Sequence, residues 1–397
     1  MLQLIIIADD FTGALDAGVQ FSSLGAKSLV VTESGYDLAE SEGLDVLIFD
    51  AETRHVSPEE AYHKVYTITK KAKDYGVPYV YKKTDSGLRG NIGSELSGAM
   101  DALGLEEMAF IPAFPAMRRV TRNGVHYVDG VPVAESMFGK DPFEPVRYSD
   151  VNEIIASQTD KKGIRVYDAE TDADMMRIAE GLGHEGLRLT AGCAGFAGIL
   201  AHVLGFHGKS PDVPEMPGKF FMVCGSVNPV TRRQVAYARD NGFKYVCLSV
   251  EQKLSPTWPG SPECESAGRE WLAEIGGSHA VLDANNPDDS ARTDDYIRSH
   301  GIDIETVRVN ISRAVTGAAK AVIDAGLDAR LMCVGGDTLL ALMGAVGVNE
   351  LVPVCEIERG VVLTSFTYRG KKYHIMTKSG GFGEEDLLLK LAGGMRA

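Results

Sequence analysis

The densest group of chemically useful side chains occupies residues 82–91, Lys-Lys-Thr-Asp-Ser-Gly-Leu-Arg-Gly-Asn. Arg89 can hold a carboxylate through two parallel hydrogen bonds, and Lys83 supplies a movable positive charge. A solvated basic turn is the competing interpretation, but such a turn would not need the two glycines around Arg89. We therefore predict that this segment binds an anionic substrate. Its candidate ligands are Lys83, Thr84, Asp85, Ser86, Arg89 and Asn91.

Two adjacent carboxylates, Asp9 and Asp10, follow the first apolar run of the chain. Carboxylates at the end of a strand can bind sugar hydroxyls, hold a metal or accept a proton, and the competing interpretation is a helix N-cap. We favour a functional role for Asp10. Arg54 and Arg119 are further candidates for binding a carboxylate or phosphate, although each also fits an ordinary surface arginine. His126 fits a loop histidine better than a catalyst.

Three glycine-containing loops in the C-terminal half, at 224–228, 334–338 and 378–383, each follow an apolar strand and precede a helix. Glycines let a backbone approach phosphate closely, and the free N–H groups of a helix start point toward an anion. Each loop alone is weak evidence, but three in one half indicate a nucleotide site. The sequence contains neither a Walker motif nor a dinucleotide fingerprint after its first strand. The candidate phosphate ligands are Ser226, Gly335, Gly336, Asp337, Thr338, Lys378, Gly380 and Gly381.

Apolar runs of strand length alternate with segments of helical periodicity, which predicts an α/β fold with doubly wound, mainly parallel sheets flanked by helices. Three prolines in the polar stretch 208–218 mark the best domain boundary. We therefore predict two domains, 1–210 and 219–397. The hairpin signal at 368–371 makes the end of the second sheet antiparallel. The predicted strands are 4–8, 28–32, 46–50, 79–82, 108–111, 187–189, 220–224, 245–249, 280–282, 330–334, 360–368 and 372–377.

The composition narrows the class of protein. A formal net charge of −15 over 397 residues argues against nucleic acid or an anionic membrane as partner. No apolar run is long enough to span a membrane, and the first residues have no signal-peptide pattern. The six cysteines form no C-x-x-C pair, so we expect reduced thiols, a cytoplasmic protein and no protein-bound metal site.

In order and spacing, these segments resemble the four-carbon acid sugar kinase family, whose members phosphorylate threonate, erythronate or 3-oxo-tetronate with ATP. The resemblance rests on six segments, at 8–14, 83–91, 111–116, 225–226, 335–338 and 378–383, and covers nearly the whole chain. Two departures stand near the presumed substrate: Gly87 replaces an expected threonine, and Met117-Arg118 replace a small pair before Arg119.

The resemblance implies an N-terminal sugar-acid domain and a C-terminal nucleotide domain, with an active-site cleft between them. In the family pattern, Asp10, Arg54 and residues 83–86 would contact the acid. Ser226, residues 335–338 and Gly380 or Gly381 would contact ATP.

The cofactors expected for this chemistry are ATP and Mg²⁺, because phosphoryl transfer depends on positioning and charge neutralisation. Arg54, Arg89 or Lys83 would anchor the acid's carboxylate, and Lys378 would hold phosphate. Asp85, Asp10 or Asp337 would accept the hydroxyl proton, and the sequence does not choose among them. Alternatives are a kinase for another small sugar acid, a non-catalytic sensor of nucleotide and sugar acid, or a lyase acting on phosphorylated acids. A homodimer is the default assembly.

Overall fold

The computed structural model describes residues 2–141, 144–216, 218–378 and 381–393. The chain forms two compact units, Met1–Pro211 and Asp212–Ala397. Each unit is an α/β structure whose mainly parallel sheet is flanked by helices, which confirms the predicted fold class. Within the described ranges, no helix has both the length and the apolar character needed to cross a membrane.

The N-terminal unit alternates strands and helices along the chain. Its strands are β1 Leu4–Ala8, β2 Ser28–Val31, β3 Val46–Asp50, β4 Tyr79–Lys83, β5 Met108–Ile111, β6 Arg119–Arg122, β7 Val125–Val128, β8 Val131–Pro132, β9 Ile164–Val166 and β10 Leu189–Gly192. Its helices are α1 Phe11–Ser22, α2 Pro58–Tyr75, α3 Ile92–Leu103, α4 Val151–Ala156, α5 Asp172–Gly186 and α6 Ala194–Val203.

Seven of these strands form a parallel sheet in the order β2-β3-β1-β4-β10-β5-β9. β1 and β3 are buried along their whole length, as expected for strands that are covered by helices on both faces. Helix α2 begins as its sequence predicts: the Ser57 side chain accepts a hydrogen bond from the Glu60 backbone N–H, and Pro58 is the first helical residue. The remaining strands form a small antiparallel sheet, β6-β7-β8.

The C-terminal unit repeats the alternation and ends in a meander. Its strands are β11 Lys219–Cys224, β12 Lys244–Cys247, β13 Ala280–Asp283, β14 Ala329–Val334, β15 Glu350–Glu358, β16 Val361–Tyr368 and β17 Lys371–Lys378. Its helices are α7 Pro229–Asp240, α8 Val250–Leu254, α9 Pro262–Ile275, α10 Ser290–His300, α11 Ile304–Asp324, α12 Gly336–Val346 and α13 Leu387–Ala392.

The strand order of this second sheet is β12-β13-β11-β14-β17-β16-β15. Its first five members are parallel, whereas β15, β16 and β17 pair antiparallel, so the predicted antiparallel end is confirmed. The turn between β16 and β17 has positive φ at Arg369 and Gly370, which suits the right-handed twist of a tight hairpin.

Some predicted bounds were wrong. The strand expected at 187–189 lies at Leu189–Gly192, because its last three residues, Thr-Ala-Gly, carry little apolar signal. Helix α9 begins as its sequence suggests: the Ser261 side chain caps the helix and Pro262 is its first residue.

Candidate active site

Three neighbouring parallel strands of the N-terminal unit carry charged residues where they end. Asp9 and Asp10 follow β1, Arg54 lies in the loop after β3, and Lys83 closes β4, two residues before Asp85. β1 pairs with β3 on one side and with β4 on the other. The chain therefore adds β2 and β3 on one side of β1 and then continues with β4 on the other side, which makes β1 a topological switch point. Ligands of open α/β sheets bind at such a switch point, outside the carboxyl ends of the strands.

Arg54 is a buried arginine surrounded by carboxylates. Its Nε and Nη2 lie 2.8 and 2.7 Å from Asp9 Oδ2, and its Nη1 lies 2.7 Å from Asp10 Oδ2. Asp85 Oδ1 is 3.6 Å from Nη2. Burial lowers the pKa of Arg54, but these three aspartates outweigh it and raise the pKa well above its usual value. Arg54 therefore ties the ends of the three strands together as a permanent cation.

Asp10 is the N-cap of α1, and its Oδ1 accepts a hydrogen bond of 2.8 Å from the Gly13 N–H. Its side chain is 22% exposed, compared with 3% for Asp9 and 9% for Asp85. Burial raises the pKa of Asp10, but the charges of Arg54 and Lys83 outweigh it, so the pKa lies below its usual value. Asp10 is thus an ionised carboxylate that a ligand can reach.

Asp85 and Arg89 form a bidentate salt bridge within one loop. Arg89 Nε lies 2.9 Å from Asp85 Oδ2, and its Nη2 lies 3.0 Å from Oδ1. The backbone N–H of Gly87 also donates to Oδ2, and Arg89 Nη1 donates to Asp141. Burial raises the pKa of Asp85, but Arg89 and Arg54 lower it well below its usual value. Both oxygens of Asp85 are therefore occupied within the loop.

Lys83 and Thr84 face the same strand ends. Lys83 is buried, and its Nζ donates a hydrogen bond of 2.7 Å to the Thr84 carbonyl. A Cβ atom on Gly13 would lie 2.7 Å from this Nζ and 2.5 Å from Asp10 Oδ1, so Gly13 leaves room for both groups. The buried Thr84 hydroxyl has no hydrogen-bond partner within the described ranges. The structure thus brings Lys83, Thr84 and Asp10 together.

Arg119 reaches this region from the small antiparallel sheet. It begins β6, and its Nη1 donates to the Ser86 hydroxyl. Its buried Nε has no hydrogen-bond partner in the part of the chain that the structure describes. His126 on β7 is fully buried between Thr121 and the Ser86 carbonyl, and burial lowers its pKa to about 4. A neutral histidine at that place supports the loop that carries Ser86.

Asn91, predicted as a substrate ligand, contacts the backbone of the loop after β3. Its Nδ2 donates to the backbone carbonyls of Thr53 and Val56, at 2.9 and 2.8 Å. These bonds fix the loop that carries Arg54. We therefore propose that Asn91 positions Arg54 instead of binding substrate directly.

Sequence reasoning missed a buried ion pair beneath this site. Lys82 Nζ lies 3.0 Å from Glu95 Oε2, and both side chains are at most 1% exposed. Burial raises the pKa of Glu95, although Lys82 opposes the shift. Lys82, within a strand predicted to be buried, is the sequence signal that could have indicated a buried partner.

In the C-terminal unit, the three glycine-containing loops follow β11, β14 and β17. These strands are neighbours in the sheet and parallel, so their loops meet at one edge. A Cβ atom on Gly225 would lie 2.3 Å from the Thr338 hydroxyl oxygen, which shows how closely the first two loops pack. Gly335 has a φ of +104°, which favours glycine, and α12 begins at Gly336.

Ser226 and Gly381 lie on the same edge. The Ser226 hydroxyl accepts a hydrogen bond of 3.2 Å from the Asn228 N–H, just before α7. A Cβ atom on Gly381 would lie 3.7 Å from Asn228 Nδ2, so the third loop contacts the first. Gly380, also predicted to contact nucleotide, lies outside the described residues.

Lys378 ends β17 and is almost fully buried, with Nζ 3.2 Å from the Thr231 hydroxyl oxygen. Burial lowers the pKa of Lys378 to about 8. An ammonium held in this way at the start of α7 gains most from a bound anion, because the anion would restore the charge balance that burial removes.

Asp337 is exposed in the first turn of α12, and its Oδ2 lies 2.6 Å from Arg308 Nη1 on α11. At the next strand end, Asp283 closes β13 and pairs with Arg232 at 2.6 Å and with the Tyr245 hydroxyl at 3.0 Å. Burial raises the pKa of Asp283, although Arg232 opposes the shift. Sequence reasoning missed this group, whose signal is an aspartate at the end of an apolar strand.

In the described ranges, no group of three or more histidine, cysteine, aspartate or glutamate side chains could hold a metal ion. The six cysteines are all free thiols, as expected. Burial raises the pKa of Cys224 to about 12, which makes this thiol beside the first glycine loop unreactive.

Comparison with known proteins assigns both halves of the chain. A family model described as the sugar-binding N-terminal domain matches residues 4–165. A second model, described as the nucleotide-binding C-terminal domain, matches residues 221–388. The charged strand ends around Arg54 fall in the first match, and the three glycine-containing loops fall in the second.

Curated relatives match over nearly their full length. The D-threonate kinase of Salmonella typhimurium is 27% identical, with 98% of this chain and 97% of the relative covered. The D-erythronate kinase of Heliobacterium modesticaldum is 28% identical, with 97% and 95% covered. The 3-oxo-tetronate kinase of Pseudomonas fluorescens is 25% identical, with 98% and 96% covered.

Solved structures share the fold. A protein from Salmonella typhimurium LT2 superposes with a TM-score of 0.82 at 21% identity, and the match covers all of both chains. A Haemophilus influenzae protein gives 0.73 at 20% identity, covering 99% of this chain and 100% of that one. With both domain models matched and kinases of this kind similar along its whole length, the chain belongs to the four-carbon acid sugar kinase family.

Proposed function

We propose that this chain transfers the γ-phosphate of ATP to a hydroxyl of a four-carbon sugar acid of the threonate, erythronate or 3-oxo-tetronate type. The observation that carries the proposal is the cluster of cations and one reachable carboxylate at the ends of β1, β3 and β4. This cluster lies in the part of the chain that matches the sugar-binding domain. Nearly full-length similarity to three kinds of four-carbon acid kinase supports the same function.

Arg119 and Lys83 are the cations that we assign to the carboxylate of the acid. Arg54 already balances Asp9 and Asp10, and Arg89 is held in two places by Asp85. Arg119 bonds only a neutral hydroxyl in the described structure and keeps a buried Nε without a partner. A carboxylate there would satisfy that Nε and complete a charge-assisted pair.

Asp10 is the group that we assign as acceptor of the hydroxyl proton. It is ionised, it is the most exposed of the three aspartates around Arg54, and each of its oxygens makes only one bond to a described residue. Asp85 is less suitable, because its oxygens already receive four hydrogen bonds from Gly87 and Arg89. Asp337 pairs with Arg308, so we assign it to the nucleotide side.

The nucleotide side would bind phosphate through the three glycine-containing loops. Backbone N–H groups in the first turn of α12, which begins at Gly336, and the ammonium of Lys378 supply the positive potential. Mg²⁺ usually keeps several waters and binds through substrate phosphates and one or two carboxylates, and Asp337 is a carboxylate beside these loops that fits this role. When bound, the ion would neutralise phosphate charge during transfer.

The proposed function predicts ADP release that depends on a four-carbon acid. The direct measurement is a coupled ADP-release assay with threonate, erythronate and 3-oxo-tetronate, and with five- and six-carbon aldonic acids as comparison. Release with a longer acid alone would favour a kinase for another sugar acid. ATP binding by calorimetry without release for any acid would favour a sensor and contradict the kinase proposal.

A pH-dependent affinity for ATP is the second expected result. Protonated Lys378 attracts phosphate, and its pKa of about 8 means that the charge is lost as the pH rises through that value. The Kd for ATP should therefore be level below pH 8 and rise above it, by up to about tenfold per pH unit. Calorimetric titrations from pH 6.5 to 9.5 would measure this slope.

Lys378→Met should weaken ATP binding at pH 7 by roughly 10–100-fold and remove the pH dependence. Lys372→Met is the matched control, because Lys372 lies on the same strand but is exposed at its other end. A slope that survives in Lys378→Met would show that another group titrates.

A further inference from the structure

Gly87 lies against the ring of Phe138, a residue from a distant part of the chain. A Cβ atom on Gly87 would lie 2.4, 2.5 and 2.7 Å from Phe138 Cδ1, Cε1 and Cγ. Real Cβ atoms do not approach other heavy atoms so closely, so the ring takes the space that any side chain at position 87 would use. Gly87 has no positive φ, and glycine is therefore required here by the ring and not by backbone conformation.

The same ring receives two guanidinium groups. Arg89 Cζ lies 5.2 Å from the ring centroid, and Arg119 Cζ lies 5.1 Å from it. Both distances are within the range of cation–π contacts, and the ring is buried, so the contacts are partly shielded from water. One aromatic side chain thus contacts both Arg89 of the loop after β4 and Arg119 at the start of β6.

The backbone that carries Phe138 is itself held in place. Its N–H donates to the Ser136 hydroxyl at 3.1 Å, and its carbonyl accepts from the Val146 N–H at 3.0 Å. Arg89 also bonds Asp141 from the same segment. The ring is therefore a buried side chain on a hydrogen-bonded backbone, and it contacts Gly87 and both arginines.

We propose that Phe138 is a positioning residue of the acid site. Its ring, for which Gly87 leaves space, orients Arg119 toward the carboxylate of the substrate. This inference deepens the proposed kinase function and rests on it for its kinetic consequences. Phe138 acts through Arg119 and Arg89, so its loss should change recognition of the acid more than the chemical step.

A double-mutant cycle tests the coupling. Phe138→Ala should raise the KM for the four-carbon acid by about 5–20-fold and leave the KM for ATP within twofold. Gly87→Ala should do the same, because its methyl group displaces the ring. The double variant should be no worse than Phe138→Ala alone.

Two further variants separate stacking from simple packing. Phe138→Tyr keeps the aromatic face and should restore the KM for the acid, whereas Phe138→Leu keeps apolar volume without that face and should not. Additive effects in the cycle, or full activity of Phe138→Leu, would overturn the proposal.

The stacking can also be measured without turnover. Ring currents from Phe138 should shift the NMR signals of the Arg89 and Arg119 Nε–H groups, and both shifts should vanish in Phe138→Leu and in Gly87→Ala. Unchanged signals would overturn the inference even if the wild type turns over no acid. Normal shifts in a wild type without turnover would count against the kinase function alone.

Discussion

Replacing Asp10 with asparagine is expected to lower kcat by about 10²–10⁴-fold, the usual contribution of a general base. The proton of the attacking hydroxyl then loses its acceptor, whereas the ATP-binding loops are untouched. Asparagine is as good an N-cap as aspartate, so the hydrogen bond from Gly13 and the start of α1 should survive. The measurement is kcat from ADP release at saturating acid, together with the Kd for ATP, which should stay within twofold.

Asp150→Asn is the matched control for the Asp10 variant. Asp150 caps α4 in the same domain, where it accepts hydrogen bonds from Asn152 and Glu153 and makes no contact with the charged strand ends. Its replacement should leave kcat unchanged. If Asp10→Asn stays within threefold of wild type while Asp85→Asn or Asp337→Asn loses kcat, Asp10 is not the base.

The pKa of Asp10 also gives an expectation for the pH profile. Because Arg54 and Lys83 hold this pKa below its usual value, the carboxylate stays ionised throughout the range from pH 5 to 8. The kcat should therefore show no acid limb from this group above about pH 5. A fall in kcat between pH 7 and 6 would point to another titrating group.

The sheet framework was predictable because buried parallel strands are continuous apolar runs. Leu4–Ala8 and Val46–Asp50 match the predicted bounds, and each is buried throughout. The small sheet β6-β7-β8 was not predicted, since its strands have only two to four residues and none is a continuous apolar run of strand length. The strand ending at Gly192 was misplaced for a related reason, because small residues carry no strand pattern.

Strand-end position predicted which polar residues would come together. Three adjacent strands of the sheet, β3, β1 and β4, end next to Arg54, Asp10 and Lys83. The structure brings these three side chains into one charged cluster. The sequence could not assign their roles, because the role of each charged side chain depends on which ion pairs it forms in the fold. The guanidinium group of Arg54 could bind a substrate carboxylate, but three aspartates of the chain already surround it.

Contacts between distant segments were outside the reach of sequence patterns. Gly87 stands out in the sequence only as a departure from the family pattern, and nothing there points to Phe138. The structure explains the glycine by the ring that occupies its side-chain space. In the same way, nothing in the sequence indicates that Lys82 and Glu95 form a pair, whereas in the fold they are a buried ion pair.

Removing one member of the Lys82–Glu95 pair is expected to destabilise the N-terminal domain by about 3–5 kcal/mol, because the remaining buried charge loses its opposite charge. Lys82 Nζ also donates to the Lys83 carbonyl at 2.8 Å, so its loss would loosen the end of β4 beside the acid site. Glu95→Leu and Lys82→Met are the single variants. Hydrogen exchange of peptides from β1 and β4, followed across a urea series, would measure the loss.

The chain provides an internal control for that measurement. Its two tryptophans, Trp258 and Trp271, both lie in the C-terminal unit, so tryptophan fluorescence follows that unit alone. The urea midpoint of the C-terminal unit should be the same in Lys82→Met and Glu95→Leu as in the wild type. The double variant Lys82→Met/Glu95→Leu should recover most of the lost stability, since apolar side chains of similar volume often replace a buried ion pair without cost. Losses that simply add in the double variant would mean that the two charges do not stabilise each other, and that each supports the domain through packing of its own.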